Sequence, residues 1–162
     1  MTINTPEFMG YFLDFSAEVT GFSTFDLQGT GQASLYFETI CEKIGDAIFQ
    51  ELLEKFHDLD RRAKRKHNPT IFSEGLKSEI LDSAKRGPIA RNIIKLWYTA
   101  TWEKMPEAWH YWYGTGENGD SFIPSPQAYP EGLVWKAVGV NPPGAKAPGY
   151  GTWSEPPLVT LS

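Results

Sequence analysis

A single cysteine, Cys41, in 162 residues rules out an internal disulfide, a thiolate metal cluster and a CxxC redox couple. The three histidines, His57, His67 and His110, lie far apart and have no ligand partners at helical spacing. No apolar stretch exceeds a few residues, which excludes a membrane span. Motifs with built-in chemistry are missing too: there is no GxSxG, HExxH or P-loop. Gly29-Thr30-Gly31 and Gly114-Thr115-Gly116 are too short for a dinucleotide fingerprint, and Glu117 to Asp120 lacks the alternating oxygens of a calcium loop and reads as a turn. Positive charge is in deficit, with 15 Lys and Arg against 20 Asp and Glu. The resulting net charge of −5 sets aside nucleic acid and anionic membrane as main partners. The opening MTINTPEFMGYFLDF has no basic residue and is broken by Pro6, Gly10 and Asp14, so it does not read as a secretory signal.

What is present suffices for one core. The chain is 41% apolar and 14% aromatic, and a folded domain of this length buries roughly 70% of the surface its unfolded chain exposes. The fold class expected is mainly α: a helical bundle of about five helices over residues 1–104, then an aromatic-rich insertion and a largely irregular, wrapping tail over 105–162. Thr5-Pro6-Glu7 starts the first helix, with Phe8, Phe12, Phe15 and Val19 as one stripe and Gly21 as its end. Leu35 to Ile44 outlines a second helix, and Asp46 stands where it could cap a third carrying Phe49, Leu52, Leu53 and Phe56. After the break at Asn68-Pro69, Ser73 to Lys85 predicts a shorter helix. Pro88 opens a central one with Ile89, Ile93, Leu96, Trp97 and Ala100 inward. The basic run from Arg61 to Lys66 reads either as a phosphate patch or, better suited to an acidic chain, as a solvated helix C-terminus.

From Met105 the character changes. Residues 114–162 hold 8 Gly and 8 Pro, a density that forbids long helices. Yet Phe122, Tyr129, Leu133, Trp135, Tyr150 and Trp153 are too apolar for a solvated linker and require a surface to lie on. A short helix is expected around Pro130 to Ala137. Among the clustered aromatics, Trp97 fits ordinary core, whereas Trp109 and Trp112 beside Pro106 and a glycine loop fit a surface contact with a protein or a sugar ring. No titratable residue stands out as a catalytic base, so catalytic, cofactor-binding and metal-binding residues are all expected to be absent from this chain.

Three blocks together resemble one family. They are FLDFSAEVTG at 12–21, similar to F-[ML]-x-[LF]-S-x-x-x-T-G, then IIKLWY at 93–98, similar to I-[IL]-x-x-W-Y. The third runs from Tyr129 through Trp135 into PGYGTWSEP at 148–156, similar to a closing P-x-[FY]-W-x-x-x-P. That family is the small, cofactor-free (gamma) subunit of bacterial FAD-dependent sugar and polyol dehydrogenases, such as the sorbitol, fructose and glucose dehydrogenase complexes. The resemblance implies a catalytic partner of the glucose-methanol-choline type that carries FAD and usually an iron–sulfur cluster, and often a cytochrome c subunit that takes the electrons onward. It implies a non-catalytic role in folding, stabilising and exporting that partner, commonly through a twin-arginine signal. The chain departs from the family in lacking that signal, and in a segment at 103–126 that is longer and more aromatic and could reach the partner's substrate entrance.

The expected interface anchors are Trp109, Trp112, Trp135, Tyr150 and Trp153. The expected location is periplasmic if the chain is exported with its partner and cytoplasmic otherwise. The competing expectations are an independent carbohydrate-binding domain built on the Trp/Tyr platform and, behind it, a hydrolase with an unrecognised carboxylate pair.

Overall fold

Thr5 sits in extended backbone and its side chain accepts from the Phe8 amide at 3.3 Å, so the first helix, α1 (Pro6–Thr20), begins where the sequence signals it. It ends at Gly21, whose φ of 79° is a left-handed conformation that costs glycine little. The computed structural model describes residues 3–142, and this part is mainly helical. Seven further α-helices follow: α2 (Thr24–Gly29), α3 (Ala33–Ile44), α4 (Asp46–Arg65), α5 (Pro69–Gly75), α6 (Arg86–Thr99), α7 (Glu107–Tyr113) and α8 (Leu133–Val138). A π-helical segment at Leu76–Leu81 and a short 3-10 turn at Tyr129–Glu131 complete the described elements. No strand occurs among the described residues beyond one isolated antiparallel bridge, Trp102 with Phe122.

Within residues 1–104, where about five helices are expected, six α-helices and the π segment occur, and the elements that leave no stripe in the sequence are short. α2 buries only Leu27, so it leaves no periodic stripe in the sequence. Its start is set instead by Ser23, which accepts from the Asp26 amide at 3.1 Å and donates to the Asp26 carboxylate at 3.0 Å. The single helix expected from Ser73 to Lys85 is replaced by α5 and the π segment. Pro69, read as a breaker, is the first residue of α5, where its lost N–H costs nothing, and Asn68 caps the Thr70 amide at 3.0 Å. Asp46 opens α4 from inside the helix and makes no side-chain cap; the cap position is Gly45.

The core is organised on α1, which packs against α2, α3, α4 and α6. Phe12 is its hub: fully buried, its ring lies 5.6 Å from Phe37, 5.7 Å from Phe49 and 5.9 Å from Trp97, one from each of three other helices. Trp97, also fully buried, meets Tyr36 edge-on at 4.9 Å. Met105, Trp109, Ala128 and Leu133 join the same cluster, so the chain beyond 104 adds to this core.

Charges tie the lower-numbered helices to α6. Glu51 on α4 accepts from Lys85 at 2.5 Å and from Arg86 at 2.8 Å, and Arg86 also donates to the Glu79 carbonyl at 3.1 Å. Arg62 pairs with Glu79 at 2.8 Å, so the basic run belongs in part to the seam between α4 and the π segment. The rest of it lies at the C-terminal end of α4, as the solvated-terminus reading expects. Between the π segment and α6 the backbone approach is close enough to demand glycine. A Cβ on Gly87 would stand 2.4 Å from the Leu81 carbonyl oxygen.

Cys41 is half-buried, and burial, followed by the nearby Asp46 carboxylate, pushes its thiol up to about 12. At pH 8 the folded chain should therefore react with a disulfide reagent far more slowly than the urea-unfolded chain. From the ordinary thiol value of 9 to about 12, the unfolded chain loses this proton while the folded chain keeps it. Stability should then fall with rising pH across that window, and Cys41→Ala should flatten the fall. Equal labelling rates for the folded and unfolded chain would contradict this environment.

Candidate functional site

Two exposed apolar faces stand out. The first is an arm that leaves the end of α6 and returns at residue 128. Asn92, buried in α6, clamps its start: its amide donates to the Glu103 carbonyl at 2.7 Å and its oxygen accepts from the Glu103 N–H at 2.9 Å. Trp102 and Phe122 exchange backbone hydrogen bonds of 2.9 and 3.0 Å. The Lys104 amide donates to Ser121 at 2.7 Å, and the Asn118 side chain donates to the Met105 carbonyl at 2.8 Å.

Within this frame Trp109 of α7 is 4% exposed, and its indole N–H donates to the Lys85 carbonyl at 2.8 Å. It is a core residue, which corrects its placement among the surface anchors. Pro106 and the glycine loop made its surroundings look exposed, while the carbonyl that receives its N–H lies 24 residues away. Burying Trp109 turns Tyr111 outward, because a residue two places on points about 200° around the helix. Tyr111 is 79% and Trp112 73% exposed, with their rings 5.2 Å apart at 89°. Tyr113 turns inward, packs against Trp109 at 5.8 Å and lies 5.7 Å from the Lys85 ammonium.

The second face lies where α2 meets α8. Phe25 is 81% exposed, and Val138 and Val140 are exposed beside the end of α8. Phe25, Leu133, Trp135 and Val140 share a concavity of about 390 Å³ with Gly29, Thr30 and Pro142. Trp135 is half-buried; its indole N–H donates to the Tyr129 carbonyl at 3.0 Å, which fixes the ring. Lys136 bridges to Asp26 at 2.7 Å and so joins α8 to α2. That pairing, with the Ser23 bond, holds the Asp26 carboxyl below its usual range. Gly132 permits the close approach here, since a Cβ on it would lie 2.7 Å from the Tyr98 carbonyl oxygen.

Of the expected anchors, Trp112 lies on the first face, Trp135 lines the second and Trp109 is interior. Tyr150 and Trp153 lie outside the described residues. Tyr111 and Phe25 are exposed aromatics that do not stand among the expected anchors. Tyr111 was recoverable from helical geometry once Trp109 is placed inward, whereas Phe25 lies in a helix too short to show a face.

Among the described residues no group of three or more His, Cys, Asp and Glu could hold a metal ion, and no helix is long and apolar enough to cross a membrane. No protein-family model, curated protein or solved structure matches the chain. Fold and site together define a mainly helical protein that presents two exposed apolar faces on braced backbone.

Proposed function

We propose that this chain is a non-catalytic small subunit that stabilises and assembles with an FAD-dependent dehydrogenase of the glucose-methanol-choline type, which oxidises a sugar, glycoside or polyol hydroxyl. The three sequence blocks suggest the partner, and the observation that carries the reading is the face around Phe25, Trp135, Val138 and Val140. Large apolar side chains left in water on braced backbone are the mark of a surface meant to be covered. In this reading hydride passes to flavin in the large subunit, any iron–sulfur cluster and cytochrome c relay lie beyond it, and this chain holds no cofactor. Its contribution is mass action: binding only the folded partner shifts that partner's folding equilibrium. The compartment follows the partner, periplasmic if the two are exported together.

The independent carbohydrate-binding reading rests on Tyr111 and Trp112. Their rings stand at 89°, which offers no shared flat platform for a sugar, and this favours protein docking over sugar stacking. The test is co-expression with an FAD-dependent dehydrogenase of the glucose-methanol-choline type from the same genome. A stoichiometric complex is expected on purification, and Phe25→Ser should weaken it without unfolding this chain. A stable lone chain with no associated flavoprotein would overturn the proposal.

A further inference from the structure

We infer that the Tyr111–Trp112 pair is a preorganised plug, which enters an apolar pocket rimmed by Lys and Arg on the catalytic subunit. This rests on the small-subunit reading and adds a second contact, separate from the face between α2 and α8.

Three observations carry it. Trp and Tyr are the residue types that dominate binding energy at interface centres, and here they are the two most exposed aromatics of the arm. Their backbone is already fixed. Asn92 clamps one end, Trp102 and Phe122 close the arm, and buried Trp109 pins α7 from beneath, so docking orders little new chain. The third observation is charge. Residues 103–120 carry Glu103, Glu107, Glu117 and Asp120 against the single cation Lys104. Lys104 pairs with Glu107 at 2.9 Å, while Glu117 and Asp120 are exposed and make no ion pair among the described residues. An aromatic tip in an acidic setting selects an apolar pocket with a basic rim. A second copy of this chain and a neutral sugar are the other candidate occupants. The edge-on rings count against the sugar, as above.

The experiment uses the full chain co-expressed with the flavoprotein and follows dissociation of the purified complex on dilution. Tyr111→Ser with Trp112→Ser should weaken the Kd by about 100-fold, with the melting curve of the separate chain unchanged. Glu117→Lys with Asp120→Lys should weaken binding at low salt and flatten the salt dependence shown by the unaltered complex. A complex that forms normally and is indifferent to both double variants would overturn the plug and leave the subunit reading standing. No complex with the unaltered chain would remove both. Self-association of the chain alone, abolished by the Tyr111 and Trp112 substitutions, would assign the tip to a second copy. Quenching of its tryptophan fluorescence by a soluble oligosaccharide, abolished in the same variant, would assign it to a sugar; either result overturns the plug.

Discussion

Phe12→Ala should be among the most damaging single substitutions in this chain, costing about 3–5 kcal/mol of folding free energy. Phe12 is fully buried, and its ring is the common neighbour of Phe37, Phe49 and Trp97. Truncation removes the transfer energy of the ring and leaves a cavity bounded by aromatics on three separate helices. Such rings cannot collapse into the gap without moving their backbones. Single domains are stable by about 5–15 kcal/mol, so the variant should sit near the edge of folding. Phe12→Leu retains much of the volume and should cost less than half as much. Urea unfolding followed by far-UV circular dichroism measures both. An alanine variant within about 1 kcal/mol of the parent would show that the four helices do not converge on this ring.

Asn92→Ala should be the second large effect, at about 2–3 kcal/mol, with a local signature that Phe12 lacks. The Asn92 side chain satisfies both backbone groups of Glu103 and also lies 3.3 Å from the Met105 sulfur. Alanine leaves a partly buried N–H and C=O at the root of the arm without their side-chain partner. That penalty exceeds the worth of an ordinary surface hydrogen bond. The arm should then open locally before the bundle unfolds, so limited proteolysis should cut within residues 103–121 at protease levels that leave the parent intact. Cleavage confined to other loops would mean that Trp109 and the Trp102–Phe122 bridge hold the arm without the clamp.

These two residues differ in how far the sequence exposes them. Phe12 belongs to a stripe with Phe8 and Phe15, and the spacing alone places it inward, as the structure does. Thr5 as a cap and Gly21 as an end were equally readable, because capping is decided within four residues of chain. Asn92 looks like any polar residue on a helix. Its role depends on a segment 11 residues later folding back against it.

The same holds at the candidate site. Trp112 is recognisable as exposed from its neighbours, whereas the burial of Trp109 under Lys85 is a tertiary fact that those neighbours do not show. α2 is invisible in the sequence because six residues with one buried leucine carry no period. The π segment at Leu76–Leu81 reads as ordinary helix in the sequence because its apolar spacing scarcely differs over six residues. What the sequence alone supplied was the family resemblance and the excess of aromatics. Which aromatics face water had to come from the packing.

The most direct measurement of the central proposal is the visible absorbance spectrum of the flavoprotein purified after expression with and without this chain. A yellow large subunit with about one flavin per protein is expected when the two are made together, and an insoluble or flavin-poor one when it is made alone. A large subunit that folds, binds its full flavin and turns over its sugar equally well in the absence of this chain would contradict the proposal.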